Sequence, residues 1–146
     1  MNSFIIHNDL IQNCLSDLWT LYLTFIGVLL SILTLLYSFI LGKKDELKLI
    51  SEHIKLNGSG PIINQKKNFA TSYIRRLVKI NRHCFALLIV AIFINISCWI
   101  GHRLPFNENI TFWLFIVVIC LTVIVCGYVI FIGFKLIKQY ISDTKI

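Results

Sequence analysis

Three long stretches of this chain carry no charge: residues 18–42 between Asp17 and Lys43, 84–101 between His83 and His102, and 110–134, which ends at Lys135. A helix that crosses about 30 Å of hydrocarbon needs roughly 20 apolar residues. The first and third runs hold 25 residues each, which extend about 37 Å at the helical rise. The second run is shorter and contains one strongly polar residue, Asn95. With 57% of 146 residues hydrophobic and only 14% charged, too little polar sequence remains to bury three such runs inside a soluble body. The expected fold is therefore all-α: an integral membrane bundle of three helices.

Cations orient it, because cytoplasmic loops retain Lys and Arg. Ten of the fourteen lie between Lys43 and Arg82, three follow the last run (Lys135, Lys138, Lys145), and Arg103 stands alone on the other side. The expected order is an outer segment 1–17, span 18–42, a basic cytoplasmic region 43–83, span 84–101, an outer loop 102–109, span 110–134 and a cytoplasmic tail 135–146. Trp19, Trp99 and Trp113 fall at the outer ends of the spans, where indoles anchor, and Tyr37 and Tyr140 lie toward the inner side. The net charge of +7 thus reports topology, and nucleic acid is not an expected partner. Residues 1–17 lack Lys and Arg and the run behind them is too long for a signal peptide's apolar core, so no cleaved leader is expected.

The cytoplasmic region divides at Asn57-Gly58-Ser59-Gly60-Pro61, a cluster of turn formers. Leu47, Ile50 and Ile54 before it and Phe69, Tyr73, Leu77 and Ile80 after it are spaced by threes and fours. Both flanks are expected to be amphipathic helices continuous with spans one and two, forming a helical hairpin. Of five cysteines, Cys84, Cys98, Cys120 and Cys126 lie in or beside spans, where the thiol acts as a small apolar group. Cys14 alone lies outside, and no disulfide framework is expected.

Three polar patterns are candidate sites. In the first span Thr20, Thr24, Gly27, Ser31, Thr34 and Ser38 recur at intervals of four, three, four, three and four. Small residues let helix backbones approach and hydroxyls bond across the contact, so this face is either a seam against the chain's other spans or the lining of a pore or oligomer axis. Asn95 shares a face with Ala91, Cys98 and His102, and its amide either bonds a neighbouring helix or meets a hydrated cavity. Arg75, Arg76, Lys79 and Arg82 are placed to meet anionic lipid headgroups or a cytosolic protein partner, beyond their part in setting topology.

No Asp, Glu, Lys, Arg or His lies within a span, which argues against proton relays, ion-coupled transport and voltage sensing. His7, His53, His83 and His102 are scattered, with no spacing suited to a metal or a nucleophile and its base, so neither catalysis nor a cofactor is expected. The stretch Phe25–Leu30 through Tyr37–Leu47, a hydroxyl-rich span leading into a charged helix, resembles small bacterial membrane effectors of phage exclusion and abortive infection. The three-span, N-outside plan also resembles some phage holins, from whose compact form the basic region of about 40 residues departs. The first resemblance implies an inner-membrane role in antiviral defence. Three spans enclose too little volume for a private aqueous path, so one expectation is a homo-oligomer that alters permeability. The other is a non-conducting anchor that recruits a cytosolic partner.

Overall fold

The protein is described by a computed structural model with three helices: α1 (Asn2–Asn57), α2 (Pro61–Arg103) and α3 (Glu108–Thr144). It describes residues 2–58, 60–103 and 108–144, with side chains at 9–56, 58, 60–103, 109–138 and 141. Ser59, residues 104–107 of the outer loop, Lys145 and the side chains of His7 and Tyr140 lie outside the described residues. All three helices are long and apolar enough to cross a membrane. In the most apolar stretch of α2, 33% of residues are buried, against 11% in those of α1 and α3.

The helices are longer than the uncharged runs. α1 begins at Asn2, so residues 2–17 continue the first apolar run as helix, and it passes Lys43 unbroken to Asn57. α2 likewise carries the basic stretch straight into the second span. Gly58 adopts φ 80° and donates its N–H to the Ile54 carbonyl at 3.0 Å, the left-handed ending that glycine permits without a Cβ clash. Pro61 opens α2 where a missing N–H is harmless, and Asn64 N–H closes the first turn on the Gly60 carbonyl at 3.0 Å.

The chain divides into two compact units. Unit 1 joins the start of α1 (to Thr24), the end of α2 (from Ala91) and α3. Its core is Ile11, Leu15 and Tyr22 of α1, Ala91, Ile94 and Cys98 of α2, and Thr111, Val118 and Val125 of α3. Unit 2 pairs the rest of α1 (Phe25 onward) with α2 as far as Val90, and buries Leu29, Ile40, Ala70, Leu77, Leu87 and Leu88.

Both long helices pack on a seven-residue repeat. On α1 Leu15, Tyr22 and Leu29 are buried and Leu36 is half-buried; on α2 Ala70, Leu77, Ala91 and Cys98 are buried and Cys84 is half-buried. A strict seven-residue repeat is the pattern of helices that coil round one another left-handedly. Beyond residue 43 the expected apolar positions of α1 hold, with Leu47, Ile50 and Ile54 half-buried beside exposed Leu49 and Leu56. On α2 the expectation is corrected in part: Leu77 packs, but Phe69 is 72% exposed, because the repeat selects Ala70 as the inward residue.

Candidate functional site

Gly101 lies in unit 1, two residues before the end of α2. A Cβ added there would stand 2.8 Å from Leu114 Cδ2 and 3.2 Å from Leu15 Cδ1, so these leucine ends pack directly on the bare backbone and would have to shift to admit a side chain. The same contact fixes residues 15, 101 and 114 at one level. Trp19, Trp99 and Trp113 then lie within about 6 Å of that level along their helices, an indole belt at one depth.

One turn inward, Asn95 Nδ2 donates to the Trp19 carbonyl at 2.8 Å. That carbonyl also serves the α1 ladder, and its second lone pair takes the amide, so the bond tells α2 which turn of α1 to meet without breaking either helix. Tyr22, 2% exposed, donates its hydroxyl to Thr122 Oγ1 at 3.1 Å, and Thr122 Oγ1 in turn donates to the Val118 carbonyl at 2.8 Å. Two polar bonds therefore tie α1 to both of the other helices within unit 1. His102, which shares Asn95's face in sequence, is exposed.

The hydroxylated stripe of α1 is not the chain's own seam. Thr20, Thr24, Gly27, Ser31, Thr34 and Ser38 are all exposed, and a Cβ added at Gly27 would meet nothing within 4 Å. The seam reading is corrected by simple geometry. Thr20 and Thr24 each stand two residues from Tyr22, Gly27 and Ser31 two from Leu29, and Thr34 and Ser38 two from Leu36. Two residues turn the helix by about 200°, so the stripe faces away from the packed side at every turn. The small residues that admit close packing are instead on α2: Ala70, Ala91 and Cys98, whose seven-residue register is the sequence signal that finds them, and Gly101 one turn beyond.

Four hydroxyls of the stripe are satisfied locally. Thr20 Oγ1 donates to the Ser16 carbonyl (3.1 Å), Thr24 Oγ1 to Thr20 (3.1 Å), Ser31 Oγ to Gly27 (3.0 Å) and Thr34 Oγ1 to Leu30 (2.9 Å). Each proton is thus engaged by the helix itself, and the outward surface is a line of oxygen lone pairs and methyl groups.

In unit 2 the four candidate cations Arg75, Arg76, Lys79 and Arg82 are all exposed on α2. α1 answers with a mixed surface, where Lys43 pairs with Glu46 and sets its ammonium 5.9 Å from the centroid of the Tyr73 ring. Asn81 is a residue that sequence reasoning passed over: its Oδ1 is buried and has no hydrogen-bond partner.

A groove of about 460 Å³ in unit 1, lined by Phe93, Ser97, Ile100, Trp113, Val117 and Leu121 among others, carries no ionisable side chain. Among the described residues no three His, Cys, Asp or Glu gather as a metal site would require, and the five cysteines are unpaired. The polar chemistry of this protein therefore lies in the unit 1 bonds, the stripe and the cationic face of α2. Neither a family model, nor a curated protein, nor a solved structure matches the chain.

Proposed function

We propose that this chain is a non-enzymatic, multi-pass protein of a bacterial inner membrane, with its N-terminus outside and its C-terminus in the cytoplasm, whose copies associate through α1 and alter membrane permeability. The observation that carries the reading is the outward stripe, exposed at all six positions and open at Gly27. It repeats by sevens, as the packed face of the same helix does, and a seven-residue repeat runs straight along a second left-handed coil. A partner helix of the same kind could follow it from end to end.

Three spans leave no room for water inside one copy, so a conducting path is assembled between copies, with stripe oxygens toward it. Such a lining holds no ring of carboxylates or guanidiniums and so discriminates little between ions. The orientation is supported by the thirteen-to-one division of basic residues, and the tryptophans gathered at one level suit a membrane interface. A part in antiviral defence rests on the resemblance of the Phe25–Leu47 stretch to phage-exclusion effectors, with the basic pair of helices placed to receive the trigger.

Purified protein in liposomes should release small ions of both signs, and Ser31→Val with Thr34→Val should reduce the flux by drying the lining. Liposomes that stay tight at high protein density would overturn the conducting role and leave the anchoring one. For topology, Ser59→Cys and Ser142→Cys in a background without native cysteines should label only from the cytoplasm, and Asn107→Cys only from outside. Labelling of Ser59→Cys from outside would defeat the orientation.

A further inference from the structure

Unit 2 sets two unlike helix surfaces side by side. The ammonium of Lys43 over the Tyr73 ring brings together residues fourteen before the end of α1 and twelve after the start of α2, so the pair is antiparallel with nearly equal arms. Residues that precede 43 on α1 therefore lie beside residues that follow 73 on α2. At 1.5 Å per residue, Arg75 is level with about residue 41, Lys79 with about 37 and Arg82 with about 34.

The α1 side of this level is membrane sequence. Thr34–Gly42 carries no charge, and Leu35, Tyr37, Phe39 and Leu41 are 60, 63, 61 and 48% exposed. The α2 side is the opposite. Arg75, Arg76, Lys79 and Arg82 are exposed, and α2 has no Asp or Glu anywhere from Pro61 to Arg103. The carboxylates of this unit, Asp45, Glu46 and Glu52, all lie past residue 43 toward the turn, and Glu46 is engaged by Lys43.

No single uniform solvent suits both surfaces. Hydrocarbon at this level would strand Arg75, Lys79 and Arg82, and water would bathe four large apolar side chains. The headgroup layer suits both, because the apolar groups of α1 reach down into acyl chains while Arg and Lys extend their stems and hold their charges at the phosphates. An arginine fork there meets a phosphate in the geometry it fits best.

We propose that Arg75, Arg76, Lys79 and Arg82 of α2, set beside the apolar Thr34–Gly42 stretch of α1, form a docking surface for the phosphate headgroups of acidic phospholipids in the cytoplasmic leaflet. The inference rests on the membrane insertion proposed above and adds a lipid class to it. Basic residues that merely set topology would show no such preference and no dependence on position.

The test uses the full chain, stripped of lipid in a neutral detergent and titrated with phosphatidylglycerol or phosphatidylcholine, with bound lipid counted by native mass spectrometry. Phosphatidylglycerol should bind at least about tenfold more tightly, with the preference weakening as salt rises. Replacing the four cations by glutamine (R75Q, R76Q, K79Q, R82Q) should abolish the preference, whereas K55Q, K66Q and K67Q, nearer the turn, should retain it. Equal affinity for the two lipids overturns the proposal, as does equal loss in both variants. A chain that stays in buffer without detergent overturns the insertion reading and this proposal together. A chain that needs detergent but shows no lipid preference overturns this proposal alone.

Discussion

Asn81 and Asn95 stand fourteen residues apart on α2, two repeats along one seam, and they meet different surroundings. In unit 1 the amide of Asn95 finds the Trp19 carbonyl, and a second polar bond joins Tyr22 to Thr122. In unit 2 the side-chain oxygen of Asn81 is buried with nothing to accept from. A satisfied amide in a seam fixes register, because sliding either helix breaks the bond; an unsatisfied one penalises the very arrangement that buries it. Unit 1 is thus built to hold one arrangement. Unit 2, with apolar burial and one buried polar atom left over, lacks that bond and gains less from holding a single register at Asn81.

The largest expected effect tests how firmly unit 1 is closed. Gly101→Leu forces a branched side chain against Leu114 and Leu15 and should destabilise the fold by about 1–3 kcal/mol, seen as an earlier midpoint in denaturing-detergent titration. Gly27→Leu, where nothing lies within 4 Å, should leave that midpoint in place and weaken association between copies instead. If the two variants shift the midpoint equally, close approach at Gly101 is not what secures unit 1.

The two asparagines give the next largest effect and the sharpest contrast. Asn95→Leu should lose about 0.6–2 kcal/mol with its interhelical bond. Asn81→Leu should be neutral or stabilising by up to about 1 kcal/mol, since it removes a buried acceptor that has no partner. Loss of similar size at both positions would break the comparison between the units.

The smallest effect concerns the Tyr22 hydroxyl. Tyr22→Phe and Thr122→Val should each lose about 0.6 kcal/mol, a typical interhelical bond within a membrane. The double variant should lose little more than either single one, because both remove the same contact. Fully additive losses would show that the hydroxyls act separately.

Much of this architecture is legible in the sequence, and the reasons are physical. Charge-free length reveals α1 and α3 as helices able to cross a membrane, because a long uncharged stretch has few other uses, and Gly58 and Pro61 mark where α1 has ended and α2 begins. Which face of α1 packs is not legible from polarity. In a span where nearly every residue is apolar, Leu15, Tyr22 and Leu29 do not stand out, while Thr20 to Ser38 do, and the visible pattern is the one turned away from the chain's own helices. The partner of Asn95 is a backbone carbonyl, which no residue identity encodes. Asn81 resembles any polar residue near a span's end, and its burial emerges only when α2 is laid against α1.

The back-bonded hydroxyls of α1 bear on dose. A helix face on which Thr20, Thr24, Ser31 and Thr34 give their protons to its own carbonyls leaves those donors satisfied with no partner helix present, so a single copy would need no company on their account. For copies that associate as proposed, assembly would follow mass action. Encounters would scale with at least the square of their number, so scarcity would favour isolated chains and a rise in abundance, or crowding into a patch of acidic lipid, would favour the assembled form.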